Sequence, residues 1–337
     1  MGNVVGLTYD LKEDYVLKEG DPQDLYAEFD PAVTVNIIID ALKKRGHTVK
    51  KIGNAQNLLH TIDKLKVDIV FNISEGLTGR NRESQVPIIL EMYNIPFVGS
   101  DGLTLALTLD KIMAKKIFLA ENIPTPRFAE LKDAGSLNGQ VGHLDFPMIV
   151  KTRHEGSSKG LTEKSRVENE KRLKEQIGFV TERYHQPALV EEFIQGSEFT
   201  VGIIGNEDPL VFPAVQVEID GKVDLGDMFY TFARITSDRL KYICPARIPK
   251  KLEKKMRAIA LQAYKAVECR DFGRVDFRVD AKGNPYVLEI NPLPCLSIDD
   301  TFNTVTKEIG MSYEEVVDAI LHAALQRYGL SSKKRRA

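Results

Sequence analysis

The chain has little of what would mark a secreted, membrane-bound or disulfide-stapled protein. Its three cysteines, Cys244, Cys269 and Cys295, stand far apart and form no CxxC pair. That spacing argues against a disulfide framework or a cysteine zinc site and suits a reducing cytoplasm. No apolar run reaches membrane-spanning length, and no basic segment followed by an apolar one opens the chain. Neither a membrane nor an export signal is therefore expected. Charge of one sign is lacking too: 46 Lys and Arg against 48 Asp and Glu leave a net charge of -2. Nothing in that balance asks for nucleic acid or an anionic membrane as partner. There is no internal repeat, and the absent GxxxxGK[ST] spacing excludes a Walker phosphate loop.

What is present is ordinary for a globular chain, 43% hydrophobic and 28% charged over 337 residues, a length that implies two or three domains. Residues 4–7, 48–52 and 68–72 read as strands separated by helices over 31–44 and 58–65. This β-α-β-α-β order predicts a parallel sheet. Ligands of such sheets gather at the carboxyl ends of strands, so the loop 72–83, with Gly76, Gly79, Arg80 and Arg82, is a substrate loop or else a solvated connection. A helix over 108–121 follows, and Pro124 and Pro126 then force an extended path. The first domain boundary is expected between Gly102 and Pro126.

A strand ends at Lys151, shortly before Gly156-Ser-Ser-Lys-Gly160, whose N–H groups and hydroxyls can wrap an anion. A plain hairpin turn is the alternative. Past a helix over 167–181, two apolar strands flank Gln195-Gly-Ser197. Glu191 and Glu192 end the first and Glu198 opens the second. The extended stretch through Phe193 and Ile194 could read an adenine edge and Glu198 could hold ribose hydroxyls; the alternative is a hairpin with exposed acids. Residues 224–240 read as a mobile loop, 250–267 as an amphipathic helix and 312–327 as a terminal helix. The basic tail 331–337 reads as a disordered end or an anion-binding or localisation segment.

The most informative stretch is Arg274 to Asn291, two short alternating strands around a turn at 281–284. With Asp280 opposite Pro285, Asp276 falls opposite Glu289 and Arg274 opposite Asn291, all on one face. Val275, Phe277, Val279, Leu288 and Ile290 go to the core. Opposed carboxylates repel, and a divalent cation such as Mg2+ removes the conflict. A solvent-facing hairpin is the alternative.

The segments IPFVGS with TLDK, FPMIVKTRHEGSSKG, VEEFIQGSEFTV, YICPA, GRVDF and LEINP occur in that order across nearly the whole chain. Together they resemble the ATP-grasp carboxylate-amine ligases, and among these the D-alanine-D-alanine ligase family. The resemblance implies an α/β fold, α+β in its C-terminal half, with a parallel-sheet domain over 1–108, a central domain over 109–188, a C-terminal domain over 189–330 and the tail 331–337. ATP is implied between the last two domains. Lys111 and Lys151 match lysines on ATP phosphates, and Ser157 and Ser158 a loop closing over the γ-phosphate. Glu191, Glu192, Phe193, Ile194, Glu198 and Leu288 fall where adenine and ribose are held. Asp276, Glu289 and Asn291 match ligands of two Mg2+ ions, which Mn2+ can replace. Arg274 matches the arginine that steadies the reacting carboxylate, and with Lys151 and Ser157 makes the implied catalytic set.

The implied reaction is phosphorylation of a carboxylate by ATP and capture of the acyl phosphate by an amine. A ligase for a different substrate pair and a non-catalytic nucleotide-binding regulator are the alternatives. Amino-acid-like substrates, a homodimer and a cytoplasmic setting complete the expectation. Departures concentrate at the substrate sites. The EREVS-like motif is missing, its nearest acids being Glu28 and Asp30. Asn72-Ile-Ser-Glu75-Gly76 replaces the histidine loop, and Arg234-Ile235 a Lys-Tyr pair. Pro292-Leu-Pro-Cys295 follows the metal asparagine, and Asp300 replaces the serine that meets the second carboxylate. An acid there disfavours a free α-carboxylate and favours a cationic group.

Overall fold

The computed structural model describes residues 2–137 and 139–330; the basic tail lies outside the described residues. The first sheet holds β1 (Val4–Tyr9), β2 (Thr48–Gly53), β3 (Ile69–Ile73) and β4 (Phe97–Val98) in the order β2-β1-β3-β4, all parallel. Helix α1 (Ala32–Lys44) buries Val35, Ile38, Ile39 and Leu42 at helical spacing. Helices α2 (Ala55–Thr61) and α3 (Gln85–Met92) complete the crossovers. The helix expected over 108–121 is α5 (Lys111–Ala120), with a separate helix, α4 (Gly102–Leu109), just before it. Asp110 breaks them: its carboxylate accepts from the Met113 N–H at 3.2 Å and caps α5, because an aspartate at an N-cap satisfies donors that a continuous helix would not leave open.

The second sheet is antiparallel, β5 (Phe128–Leu131), β8 (Ala188–Glu192), β6 (Met148–Thr152) and β7 (Arg166–Val167) in that order, packed on α6 (Glu170–Tyr184). A domain boundary after residue 188 would cut β8, so the second sheet runs on to Glu192. The third sheet runs β12-β11-β9-β13-β14, with β10 (Leu210–Val211) on β9. Its members are β9 (Ser197–Ile204), β11 (Val215–Ile219), β12 (Leu240–Ile243), β13 (Phe272–Val279) and β14 (Pro285–Asn291).

Short α7 (Phe232–Ile235) lies in the 224–240 stretch, and α8 (Lys250–Ala266) packs Met256, Ala260 and Ala263 under the third sheet. Two helices cross the division expected in chain order. α5 gives Ala114 and Phe118 to the core beneath the third sheet. After α9 (Thr301–Thr304) and α10 (Thr306–Ile309), the terminal α11 (Tyr313–Arg327) returns to the first sheet. Its Val316, Val317, Ile320 and Leu321 are buried with Val5, Leu7, Ile69 and Phe71.

The β13-β14 hairpin pairs Asp276 with Glu289 and Arg274 with Asn291 as expected, but its tip differs. Val279, not Asp280, faces Pro285, and the turn spans 280–284. The Asp280 carboxylate accepts from the N–H groups of Lys282 and Asn284, at 2.9 and 2.8 Å, an Asx turn that lengthens the loop by one residue. A bulge restores the register below it, so Val287 fills the core and Leu288 leaves it for the cleft. The sequence expectation that Leu288 is core is thereby overturned.

Candidate active site

A cleft of about 1320 Å3 opens between the second and third sheets, floored by β13 and β14 and bordered by loops of the first. It gathers every expected site residue except Arg234. Arg234 is buried on α7, donates to Phe229 O at 2.7 Å and pairs with Glu163 at 2.9 Å, and so does not face substrate. Its helical neighbours Ile235 and Thr236 do border the cleft.

On the floor, Arg274 grips Asp276 with Nε and Nη2, both at 3.0 Å, and reaches Asp300 with Nη1 at 3.4 Å. Asn291 Nδ2 donates to Asp276 Oδ2 at 2.9 Å, and Lys111 Nζ lies 3.3 Å from Glu289. The two opposed acids thus each have a cation from the protein itself, which corrects the sequence-based expectation that only a metal could make them tolerable. The electrostatics remain uneven. Burial and the Glu289 charge push the Asp276 carboxyl up, although Arg274 opposes them. Burial also pushes Glu289 up, but Lys111, Lys151 and Arg274 outweigh it and hold that carboxyl below its usual range. The donor set still fits a hard divalent cation: three oxygen-bearing side chains on two adjacent strands face one cleft.

Lys151 lies one residue before the end of β6 with its ammonium 2.6 Å from Glu191, whose other oxygen pairs with Lys115. Lys115 also donates to Thr125 Oγ1 at 2.6 Å. Burial alone would push Glu191 up, yet the two lysines hold it low, and burial pulls Lys115 down. Glu191 therefore orients Lys151. The carboxylate of Glu192 is likewise committed, to Arg127 and, at 2.8 Å, to the Asp145 N–H.

Phe193 packs against Phe229, ring centroids 5.7 Å apart, with the Arg278 guanidinium 4.6 Å from its centroid. Its N–H already donates to Pro147 O, which leaves fewer backbone donors for an adenine edge than the extended segment implied. Glu198 is buried, 3.2 Å from Arg278 through Oε1, while Oε2 has no hydrogen-bond partner. An orphaned buried acceptor on the cleft wall is suited to a ligand hydroxyl.

Above the floor, Ser157 and Ser158 both adopt left-handed backbone, φ 45° and 56°, strain that glycine would not carry and that marks a constrained loop. Glu28 fastens that loop. It accepts from the Gly156 N–H and pairs with Arg82 at 2.5 Å and Lys159 at 3.0 Å. Burial opposes its ionisation, but Arg82 and Lys159 hold the carboxyl low. Asp24 takes the other end through the Gly160 N–H at 2.8 Å. Glu75 and Glu83 sit beside this cluster, pushed up by burial first and then by acidic neighbours, Glu83 to about 7.

Asp30 is pushed up to about 7 as well, by burial and by Asp300, against a hydrogen bond from Cys295 that lowers it. An unfolded aspartate releases its proton near pH 3.9. Between these values the folded chain keeps a proton that the unfolded chain has lost. The stability this group contributes is complete below about pH 4 and lost as pH rises toward 7. Asp30→Asn should flatten that part of the pH profile of the melting midpoint; a profile parallel to wild type would show Asp30 to be solvated.

Sequence reasoning missed Lys115, Arg278 and the anchoring roles of Arg82 and Lys159. Lys115 lies one turn from Lys111, and Arg278 shares the strand face of Arg274 and Asp276, so spacing could have found both.

A parallel sheet followed by two antiparallel sheets that face each other across a lysine- and carboxylate-lined cleft is the arrangement of an ATP-grasp ligase. A family model described as D-ala D-ala ligase C-terminus matches residues 117–322, and the chain belongs to that family, with the ADP-forming ligases that make amide bonds. It is 35% identical over 301 residues to a D-alanine-D-alanine ligase of Carboxydothermus hydrogenoformans, covering 87% of this chain and 93% of that protein. It is 33% identical over 299 residues to an uncharacterized protein, y4sG, of Sinorhizobium fredii, covering 86% and 87%. The D-alanine-D-alanine ligase of Bacillus anthracis complexed with ATP shares the fold, with a TM-score of 0.75 at 22% identity over 98% of this chain and 100% of that one. VanG D-Ala:D-Ser ligase of Enterococcus faecalis does so with 0.75 at 21%, over 96% and 100%. Among the described residues, no helix is long and apolar enough to cross a membrane.

Proposed function

We propose that the chain joins the carboxylate of an amino acid to an amine at the expense of ATP, with ADP and phosphate as by-products. The observation that carries this reading is the convergence of Lys111, Lys151 and Arg274 with Asp276, Glu289 and Asn291 in one cleft. Phosphoryl transfer needs little covalent help from a protein; it needs the reactants placed and the growing charge met.

Phe193, Ile194 and Leu288 give the base an apolar slot, and Glu198 offers its orphaned oxygen to ribose. Lys151, aligned by Glu191, and Lys111 meet the phosphates, while Ser157 and Ser158 cover the γ-phosphate. Arg274 steadies the donor carboxylate. A carboxylate oxygen attacks the γ-phosphorus, the bond to the β-phosphate oxygen breaks, and ADP leaves an acyl phosphate. The amine nitrogen then attacks the acyl carbon, the carbon-oxygen bond to phosphate breaks, and the nitrogen loses a proton as the amide forms. Asp276, Glu289 and Asn291 would hold Mg2+, or Mn2+ in its place, which would supply positive charge against the phosphates. A cytoplasmic setting supplies the ATP, and a homodimer is the proposed assembly.

The test is ADP release by the purified chain with ATP and Mg2+, amino acids being added singly and in pairs. Stimulation by particular amino acids, with an amide product of matching mass, is the expected result. A flat response across the whole panel would leave the ligase reading without support.

A further inference from the structure

We propose that the amine this ligase accepts carries a second positive charge in place of a free carboxylate, and that Asp30 and Asp300 receive that charge. The inference rests on the ligase reading above and names the class of acceptor.

The end of the cleft beyond Arg274 is built against an anion. All three nitrogens of the Arg274 guanidinium are occupied, Nε and Nη2 by Asp276 and Nη1 by Asp300. The Nε–Nη2 side of that fork, which grips a carboxylate bidentately, is thus taken by Asp276, and Nη1 is shared with Asp300. Asp30 faces the same end, and its carboxylate accepts from the Cys295 thiol, 3.7 Å away. Among the described residues no basic side chain pairs with Asp30. Lys12 and Lys241 border the cleft from exposed positions and pair with neither acid. A substrate carboxylate placed here would meet two acids, with Arg274 engaged by Asp276 and Asp300 and the two lysines at the exposed border, and like-charge juxtaposition of that kind suppresses binding.

A second feature points to a hydrogen-bond donor as the ligand of this end. Thr301, next to Asp300 and fully buried in the cleft wall, has a hydroxyl oxygen without a partner. An ammonium brings three donors and no acceptor, which matches two carboxylates and one hydroxyl oxygen. The raised carboxyl of Asp30 agrees: burial and Asp300 make it hold a proton where a bound cation would let it ionise.

The test compares three acceptors of similar length with the whole 337-residue chain: 1,3-diaminopropane, propylamine and D-alanine. ADP release and product mass are read for each, after each of the common amino acids has been offered as donor with hydroxylamine, which traps an acyl phosphate as a hydroxamate. The diamine is expected to give kcat/KM at least about tenfold above D-alanine, with propylamine between them. Asp300→Ser, which keeps an N-cap for α9, should cut diamine use about tenfold or more and raise use of D-alanine. Hydroxamate formation with D-alanine preferred to the diamine in the wild type would overturn the proposal and leave the ligase reading standing. No hydroxamate from any donor would remove the ligase reading and this proposal with it. Should Asp300→Ser fail to fold, the wild-type acceptor ratio alone decides.

Discussion

Glu289→Gln is expected to keep the fold and lower ADP release by on the order of 10^2–10^3, the range for losing one electrostatic stabiliser of transition-state charge. Glutamine preserves volume and strand pairing, so the bulge at Leu288 and the core behind it stay filled. The lost charge leaves Lys111 facing a neutral amide, but Lys111 also donates to the Glu155 carbonyl. Relief of the like charge on Asp276 offsets part of the cost. The melting midpoint should move by no more than the equivalent of about 1 kcal/mol, as for other partly exposed pairs. The Mg2+ concentration for half-maximal turnover should rise, since a carboxylate is a far better ligand for a hard cation than an amide. Near-wild-type turnover with an unshifted Mg2+ midpoint would remove Glu289 from the metal site.

The second large effect falls on stability. Lys115 and Glu191 have side chains 1% exposed, and with Lys151 they form a buried cation-anion-cation row. Taking charges out of water is costly, and removal of one partner from such a pair typically costs 3–5 kcal/mol because the other is left uncompensated. Lys115→Met should lose about that much, seen as a lower urea midpoint. Lys116→Met, an exposed lysine one residue along α5, should stay within about 0.5 kcal/mol. The first variant should also raise the KM for ATP, because Glu191 would then draw Lys151 more strongly to itself. If Lys115→Met were as stable as Lys116→Met, the row would have to be hydrated.

Legibility in the sequence followed the range of the interaction. The parallel sheet, the hairpin and the amphipathic helices were readable because each is written in a local period, as in Val35, Ile38, Ile39 and Leu42 of α1. The cleft-floor face was readable for the same reason: Arg274 and Asp276 share a strand face, and pairing brings Glu289 and Asn291 beside them. The tip of that hairpin was not, because one Asx turn and one bulge cancel in the outer register while moving Leu288 from core to cleft. Glu28 shows a different limit. Its acid was expected to be a substrate group, whereas it fastens a loop through Arg82, Gly156 and Lys159, which lie 54 to 131 positions away, and no local pattern encodes such contacts. Arg234 misled because a loop position was matched by order alone, while Thr231 caps a helical turn that turns the guanidinium toward Glu163.

The return of α11 to the first sheet has a consequence for synthesis. Strands β1 to β4 leave the ribosome well before α11, whose residues complete the cover of β1 and β3. At about 5–20 residues per second, the nascent sheet waits on the order of ten to forty seconds with an apolar face open to water. Chaperone demand during translation therefore falls on the first sheet, and a stop codon ahead of α11 should harm that sheet more than the region it shortens.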